Sequence, residues 1–492
     1  MKAAIALPAA ALLFAVLATA NSGGYRYGAS DQAFYGPALA KAVDPALFPR
    51  DSAVLAPQMK VWLGDDVLAG VARTFSLDQP ALFAGVYVVT IAALFLAAVW
   101  FARSLGGSWL MTAAFVTLLT FRHRIAKTGA NSLEGYMHPR MLAFAVGLGA
   151  LACVLKRRDP GAIALVALAF VIHPTTAGWF GIAVVVAIAS RFVPFRWLAI
   201  AIGATAVAAL AALLAGPLAE RLQIMDAAWL AVFSEKDYLF PSEWPLYAWA
   251  TNLAYPLVLW LVYRQRRAAG ALVPGETSLL IGLGVLVDIF LVSVPLTAGR
   301  IAFVVQFQVN RIFWLLDAVT AAYLAWWIVD WLAARQPARI RTAVVGALAL
   351  LSAARGFYVL RVETGRPLVE YRLPASDWTD GMNWLRGQPA SWHVLADPGH
   401  GWKYGSSVRL AALKDTLLES GKDTSMAMYD REVALRVVDR AAALADFDRM
   451  TTSDVRRLDE RFALDAVIAE AGRALELPVL YRNRQFVIYD LR

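Results

Sequence analysis

Cysteine is almost absent from this sequence, which contains Cys153 alone. An internal disulfide and a cysteine-based metal site are therefore excluded. The sequence also lacks the glycine-rich phosphate-binding and dinucleotide-binding motifs, the G-x-S-x-G nucleophile motif and the H-E-x-x-H zinc motif. These absences argue against an ATP-driven pump and against a membrane protease.

Charge is scarce as well, since Asp, Glu, Lys and Arg make up only 17% of the chain while 59% is hydrophobic. A water-soluble fold of this length could not bury so much apolar surface, so the sequence predicts a bilayer as its solvent. The expected fold class is an α-helical polytopic membrane protein with about eleven transmembrane helices. The predicted spans are residues 3–20, 80–101, 109–121, 139–155, 160–172, 176–190, 197–214, 246–262, 278–296, 312–331 and 342–353.

The net charge of +9 is unevenly distributed along the chain. The tail from Tyr371 to Arg492 holds 17 Lys/Arg against 18 Asp/Glu, so the basic excess belongs to the apolar part. The densest basic clusters, at 156–158, 264–267 and 335–341, fall in alternate loops and mark the cytoplasmic side. This pattern predicts an integral membrane protein whose C-terminal domain is extracytoplasmic, and it gives no indication of nucleic-acid binding. The expected location is a bacterial inner membrane.

Four regions are expected from this topology. Residues 1–20 form a first transmembrane helix or signal anchor, 21–78 a first extracytoplasmic loop with surface helices, 79–354 a transmembrane bundle, and 355–492 an extracytoplasmic α/β domain. In that domain, helices are predicted at 377–386, 424–445 and 452–462, the last with Thr452 or Ser453 as its N-cap. Short strands are predicted at 392–396, 466–469, 479–481 and 485–489.

The first outside loop contains a short motif, Asp31-Gln32 followed by Tyr35. An acid soon after the first helix, an amide beside it and a tyrosine four positions on resemble the Asp-Glu-x-x-Tyr pattern of C-fold glycosyltransferases (GT-C). Protein O-mannosyltransferases and lipid A aminoarabinose transferases belong to that superfamily. The predicted topology and the closing run 477–491 agree with this resemblance, whereas Gln32 departs from it by replacing a second carboxylate.

The resemblance implies a membrane glycosyltransferase that moves a sugar from a polyprenyl-phosphate donor to an acceptor on the extracytoplasmic face. Its partners would be the sugar-carrying lipid and the surrounding membrane lipid, with neither a nucleotide nor a redox cofactor. A divalent cation stays open, because the sequence identifies no ligands for it. Asp31 is the candidate base for the acceptor hydroxyl, and Tyr35 is a candidate substrate- or phosphate-binding residue. The alternative interpretation is a helix N-cap, a position that Asp favours.

The second outside loop is unusually rich in charge for that side of a membrane. Its His138 and Arg140 are candidate phosphate ligands, and Glu134 is a candidate second acid. The alternative is that anionic lipid headgroups neutralise the basic side chains. Further along, His173-Pro174 is interpreted as a turn with an interfacial histidine.

Two more groups complete the candidate site. Arg300 and Arg311 lie at the entrance to the tenth predicted span, where a guanidinium suits a lipid phosphate, although contact with headgroups alone would explain them. In the tail, His400, Trp402 and Tyr404 lie in a glycine-rich loop and are candidate acceptor-binding residues. That loop is equally well interpreted as a tight turn whose aromatic residues anchor the domain on the bilayer.

Asp288 and Asp317 fall inside predicted spans, where a carboxylate costs about 2.5–3.5 kcal/mol on insertion scales. They are the residues that a proton-coupled transporter would use. The sequence therefore keeps two alternatives to the transferase: a transporter or flippase of a lipid-linked or amphipathic solute, and a non-catalytic GT-C-like envelope assembly protein.

Overall fold

The computed structural model describes residues 2–61, 64–194, 222–234 and 236–492, together with 196–197, 200, 203–204, 207–208 and 211. The predicted span 197–214 lies largely outside the described residues. The chain divides into two compact units. Unit 1 comprises Met1–Tyr25, Val86–Met225 and Lys236–Leu368, and unit 2 comprises Arg26–Gly85, Asp226–Glu235 and Val369–Arg492.

Unit 1 is a bundle of apolar helices. Several begin where the sequence offers a proline in the first turn, which fixes φ at a helical value and needs no hydrogen-bond acceptor. Its described helices are Lys2–Asn21, most of Gln79–Ser104, Trp109–Leu119, Pro139–Leu155, Asp159–Ile172, Pro174–Ala189, Leu246–Ala268, Glu276–Ala298, Ala302–Phe307, Ile312–Trp326 and Ala338–Tyr358. Single π-helical turns, Trp327–Leu332 and Val359–Glu363, extend two of them.

Among the described residues, four helices are long and apolar enough to cross a membrane: Gln79–Ser104, Glu276–Ala298, Ala302–Leu332 and Ala338–Glu363. Five shorter apolar helices accompany them, namely Leu7–Asn21, Trp109–Leu119, Pro139–Leu155, Asp159–Ile172 and Pro174–Ala189. Large apolar side chains such as Val88, Val292 and Leu350 are 65–73% exposed on these helices, an arrangement that suits lipid better than water. The predicted total of eleven spans stays a prediction.

Short strands occur in both units. Strand β1 (Tyr25–Arg26) lies at the boundary between the units, and β2 (Arg124–Ile125) and β3 (Ala130–Asn131) form a hairpin in unit 1. Unit 2 contains β4 (Val369–Glu370), β5 (His393–Leu395), β6 (Asp415–Thr416), β7 (Ala466–Glu470), β8 (Val479–Arg482) and β9 (Phe486–Asp490).

Unit 2 is an α/β domain built on a five-stranded sheet of order β6-β5-β7-β9-β8. Strands β6, β5 and β7 run parallel, with Val394 opposite both Thr416 and Ala466, whereas β9 is antiparallel to β7 and to β8. Its helices are Gln32–Val43, Ser52–Val61, Gly64–Phe75, Ala227–Leu230, Asp377–Arg386, His400–Lys403, Val408–Ala412, Ser420–Met426, Arg431–Ala443 and Thr452–Phe462.

The predicted tail elements are mostly confirmed, with two corrections. The helix expected at 424–445 is two helices, Ser420–Met426 and Arg431–Ala443, because Asp430 caps the second by accepting from the backbone N–H of Glu432 at 2.9 Å. The N-cap of Thr452–Phe462 is Thr451, one residue earlier than predicted. The core of this domain is formed by apolar side chains of the sheet and of Asp377–Arg386, including Trp378, Val394, Ile468 and Ile488.

Candidate functional site

The second predicted outside loop folds around the hairpin β2–β3, with Arg124 opposite Asn131. Gly129 in its turn has φ +65°, and a Cβ there would lie 2.8 Å from the ring of Tyr238, so the turn requires glycine. The hairpin positions the Asn131 side chain, whose Nδ2 donates to both carboxylate oxygens of Glu134 at 3.2 and 3.1 Å.

Glu134 and Arg140 form a buried ion pair in unit 1. Their side chains are 1% and 5% exposed, and Nη2 of Arg140 donates to Oε1 of Glu134. The guanidinium carbon also lies 6.0 Å from the ring centroid of Trp314. Losing one partner of a buried pair would leave an uncompensated charge. The Glu134 carboxylate therefore balances the charge of Arg140 and fixes its orientation.

Two His-Pro dipeptides begin neighbouring apolar helices in the same unit. His138 and His173 are the N-caps of the helices that start at Pro139 and Pro174. The Nδ1 of His138 accepts from the backbone N–H two residues on at 3.4 Å, and that of His173 from the N–H three residues on at 3.2 Å. Their ring centroids are 6.4 Å apart, so the two helix starts bring two imidazoles together.

Two guanidinium groups lie near these imidazoles. Burial, together with the electrostatic effect of His138, Arg311 and Arg140, holds the pKa of His173 well below its usual value. We call Glu134, His138, Arg140, His173 and Arg311 the Arg140 cluster. Its two guanidinium groups are hydrogen-bond donors of the kind that bind a phosphate group.

Arg300 has a different environment in unit 1. Its guanidinium forms an ion pair with Glu243 and lies 4.0 Å from the ring centroid of Phe240. Its side chain is 29% exposed. These contacts tie Arg300 to the segment that precedes the helix Leu246–Ala268.

Asp31 lies in unit 2, at the N-cap position of Gln32–Val43, but its side chain makes no capping hydrogen bond. Instead, its Oδ1 accepts from Nζ of Lys422 at 2.9 Å. Gln32 is fully buried, and its Oε1 accepts from the backbone N–H of Gly28 at 2.7 Å. The amide that replaces the second carboxylate of the GT-C motif therefore holds the loop that presents Asp31.

Aromatic rings surround the Asp31–Lys422 pair. Nζ of Lys422 lies 5.9 Å from the ring centroid of Phe34 and 5.6 Å from that of Trp402. Trp402 is 73% exposed, and its Nε1 would lie 2.6 Å from a Cβ at Gly421. We call Asp31, Phe34, Trp402 and Lys422 the Asp31 site. It combines a partly exposed carboxylate, an ammonium group and an open indole face.

The other aromatic candidates are packed into unit 2. Tyr35 is 4% exposed. His400 is fully buried, its Nδ1 donating to the carbonyl of Asp397 at 2.7 Å and its Nε2 accepting from the backbone N–H of Val408 at 3.2 Å. Tyr404 is partly buried, with its ring centroid 4.7 Å from that of Trp378. Of the three tail candidates, Trp402 alone is largely exposed.

Within the described part of the chain, no three His, Cys, Asp or Glu side chains come together in a way that would hold a metal ion.

No protein-family model matches the chain, and no curated protein is similar to it in sequence. Solved structures do match. The Archaeoglobus fulgidus oligosaccharyltransferase AglB, in complex with an inhibitory peptide and a dolichol-phosphate, has a TM-score of 0.52 at 11% identity over 94% of this chain and 69% of its own. The same enzyme tethered to an acceptor peptide has a TM-score of 0.50 at 12% identity, with the same coverage.

The fold is GT-C-like. The predicted resemblance is thereby confirmed for the architecture, since the match extends over nearly the whole chain.

The predicted GT-C residues fall into two groups. Unit 1 contains Glu134, His138, Arg140 and Arg311 in the Arg140 cluster, and Arg300 in its separate ion pair. Unit 2 contains the residues of the first loop and of the tail, namely Asp31, Tyr35, His400, Trp402 and Tyr404.

Two residues of these sites are not identified by the sequence analysis, His173 in the Arg140 cluster and Lys422 in the Asp31 site. His173 was assigned to an ordinary turn, although the repeated His-Pro dipeptide, at 138–139 and 173–174, was a signal that two helices start alike. Lys422 is separated from Asp31 by 391 positions. No local pattern distinguishes it from the other basic residues of the tail.

Proposed function

We propose that this chain is a membrane glycosyltransferase of GT-C type, transferring a sugar from a polyprenyl-phosphate donor to an acceptor on the extracytoplasmic face. The observation that carries the proposal is the Arg140 cluster, a group of two guanidinium side chains, two imidazoles and a carboxylate at the starts of two apolar helices. A lipid phosphate needs such a site, because its charge must be stabilised while its chain stays in the bilayer.

In this proposal the Arg140 cluster binds the donor phosphate. When the sugar–phosphate bond breaks, negative charge grows on the departing oxygen, and the guanidinium groups of Arg140 and Arg311 stabilise it. His138 and Arg300 are the further candidate ligands. Glu134 supports the reaction by holding Arg140 in place through their buried pair.

Asp31 is the proposed base that takes the proton of the acceptor hydroxyl. Its carboxylate is 25% exposed, so that an acceptor has access to it, and Lys422 holds it in one orientation. Tyr35 supports the same loop, and the exposed ring of Trp402 offers a surface for an acceptor sugar. His400 and Tyr404 shape the loop that carries Trp402.

The proposed location is a bacterial inner membrane, with residues 79–354 as its bundle and 21–78 and 355–492 outside. The presence of first-loop and tail segments together in unit 2 supports this topology. First-loop residues such as Asp51 and tail residues such as Arg409 are hydrogen-bonded within one compact unit, and a compact unit of this kind has to lie on one side of a bilayer.

The test of the function is Asp31→Asn in the purified protein. Donors are polyprenyl phosphates carrying labelled mannose, glucose, galactose, N-acetylglucosamine or aminoarabinose, and the readout is label transferred to extracytoplasmic envelope material. Loss of the base should lower the rate about 10²–10⁴-fold. The matched control is Asp44→Asn, an acid of the same loop that caps its own helix end and accepts from Ala46. Equal rates for both variants would refute the role of Asp31.

One observation keeps a transporter as the second candidate. The Oδ1 of Asp317 accepts a hydrogen bond from His123 Nε2 at 3.2 Å, and this hydrogen bond raises the pKa of His123. Such a pair is suited to carrying a proton. If Asp317→Asn abolished function while Asp31→Asn left it intact, transport would be favoured over transfer. Asp288, the other acid that the sequence singled out, is exposed on the helix Glu276–Ala298.

A further inference from the structure

Unit 2 contains a cavity of about 210 Å³ at one edge of its sheet. It lies where β5 and β7 end, and its walls combine aromatic rings with charged side chains. The lining includes Asp397, Lys403, Tyr404, Phe447, Asp448 and Glu470. Asp31 and Lys422 do not line it, so the cavity is an addition to the Asp31 site.

The position of the cavity follows from the sheet topology. Strands β5 and β7 are neighbours in the sheet order β6-β5-β7-β9-β8. The chain continues from β5 to β6 on one side of this pair, and from β7 to β8 and β9 on the other side. Connections that diverge from two adjacent parallel strands open a crevice at their carboxyl ends, which is where open α/β sheets bind ligands. Asp397 follows β5 and Glu470 ends β7, so both acids lie at this crevice.

Lys403 connects the acids of the cavity. Its Nζ lies 2.9 Å from Asp397, 3.1 Å from Glu470 and 3.7 Å from Asp448. Hydrogen bonds from Tyr404 and Lys403 lower the pKa of Glu470, which is therefore charged at neutral pH. Both bonds end on Oε1, and Oε2 makes no hydrogen bond with the described residues. The cavity thus has a fixed acceptor available to a ligand.

Rings and a second cation complete the walls. Tyr404 is hydrogen-bonded to Glu470 at 2.8 Å, which fixes the tilt of its ring. Arg473 donates to the carbonyls of Phe447 and Met450, both at 2.6 Å, and lies 5.0 Å from the ring of Phe447. The guanidinium of Arg473 thus donates to backbone carbonyls. Three carboxylates and two cations line the cavity, which gives it a net charge of −1.

We propose that this cavity binds a single sugar residue of a glycan, neutral or amino-substituted. A pyranose presents hydroxyl groups that donate to Glu470 and accept from Lys403, and apolar C–H faces that pack on rings such as Tyr404. The volume is below the roughly 300–1,000 Å³ of clefts for drug-sized ligands, so one ring fits rather than several. The acidic excess disfavours a uronic acid.

The experiment measures binding without any transfer reaction, so its failure is distinct from failure of the proposed function. Saturation-transfer difference NMR is run on the full chain in lauryldimethylamine oxide, a detergent without a sugar headgroup that would compete. The probes are glucosamine, N-acetylglucosamine and glucuronate. We expect signals from the first two and none from glucuronate. Glu470→Gln, which retains the bond to Tyr404, should weaken binding about tenfold.

Two exposed acids of one segment give a matched pair of variants. Asp448 lines the cavity, whereas Asp446, two residues earlier, does not. We expect the Asp448 carboxylate to favour the ammonium group of glucosamine. Asp448→Asn should therefore weaken binding of glucosamine relative to N-acetylglucosamine about two- to fivefold, and Asp446→Asn should leave this ratio unchanged. Absence of signal from both amino sugars, equal signals from all three probes, or unchanged binding in Glu470→Gln would each overturn the proposal.

Discussion

Arg409 should be among the most sensitive positions in unit 2. It is 1% exposed, and its Nε donates to Asp51 at 2.7 Å while its Nη2 donates to Asp423 at 3.0 Å. Burial alone would raise the pKa of Asp51, but the charges of Arg409 and Arg436 outweigh burial and lower it. The guanidinium therefore bridges two buried carboxylates: it neutralises Asp423, while Arg436 supplies a second cation to Asp51.

Arg409→Met removes that cation. Asp51 retains Arg436, whereas Asp423, 1% exposed, loses both of its guanidinium bonds. Breaking a buried ion pair costs about 3–5 kcal/mol. At about 2–4 °C per kcal/mol for a domain of 150–250 residues, the midpoint of thermal unfolding should fall by roughly 6–20 °C.

The assay is intrinsic tryptophan fluorescence during a thermal ramp of the purified protein in detergent. The control is Arg482→Met, because Arg482 is an exposed residue at the end of β8, so its change should stay within about 0.5 kcal/mol. Arg409→Met combined with Asp423→Leu should recover part of the loss, since the stranded charge is gone. If Arg409→Met unfolded at the same temperature as the control, the proposed neutralisation would be refuted.

Three further predictions concern function and pH. Lys422→Met should lower the transfer rate and Lys422→Arg should retain most of it, as measured in the assay for Asp31, because only a cation preserves the ion pair. Arg140→Met should raise the KM for the lipid substrate and lower kcat, since it removes a side chain that donates hydrogen bonds to the phosphate. Burial lowers the pKa of His393 to about 4, so its neutral form favours folding and stability should fall as the pH drops from about 6.5 to about 4, by about 3 kcal/mol. The measurement is denaturant unfolding of wild type and of His393→Gln as a function of pH. Burial raises the pKa of Asp415 to about 6, so that its own contribution to stability falls as the pH rises. Asp415 is present in both proteins, so the difference between their curves isolates the contribution of His393.

The sequence predicted those elements whose boundaries have a local cause. The helices Pro139–Leu155 and Asp377–Arg386 have their predicted ends, the first because His-Pro starts it and a basic cluster follows it, the second because Ser376 caps it by accepting from Thr379. The break before Arg431 was also locally encoded, in the capping residue Asp430, but the charged run around it matched one long helical surface.

The candidate site was predictable in its parts and not in its pairings. Asp31, Glu134 and Arg140 were recognisable because charge beside long apolar runs is rare and expensive. Their partners are of two kinds. Glu134 and Arg140 are six residues apart and pair across one loop, whereas Asp31 and Lys422 are brought together only by the fold of unit 2. A single sequence contains no signal for the second kind of pair.

The same fold explains why the Asp31–Lys422 pair has a defined geometry. Lys422 and Asp423 are adjacent on Ser420–Met426, so the bonds from Arg409 to Asp423 fix the helix that carries Lys422. Arg409 also binds Asp51, which lies on the same first loop as Asp31. One buried guanidinium thus holds the segments on both sides of the proposed base. Arg409→Met should therefore lower the transfer rate at temperatures well below its unfolding midpoint, and an unchanged rate there would mean that the Asp31 site is positioned by other contacts.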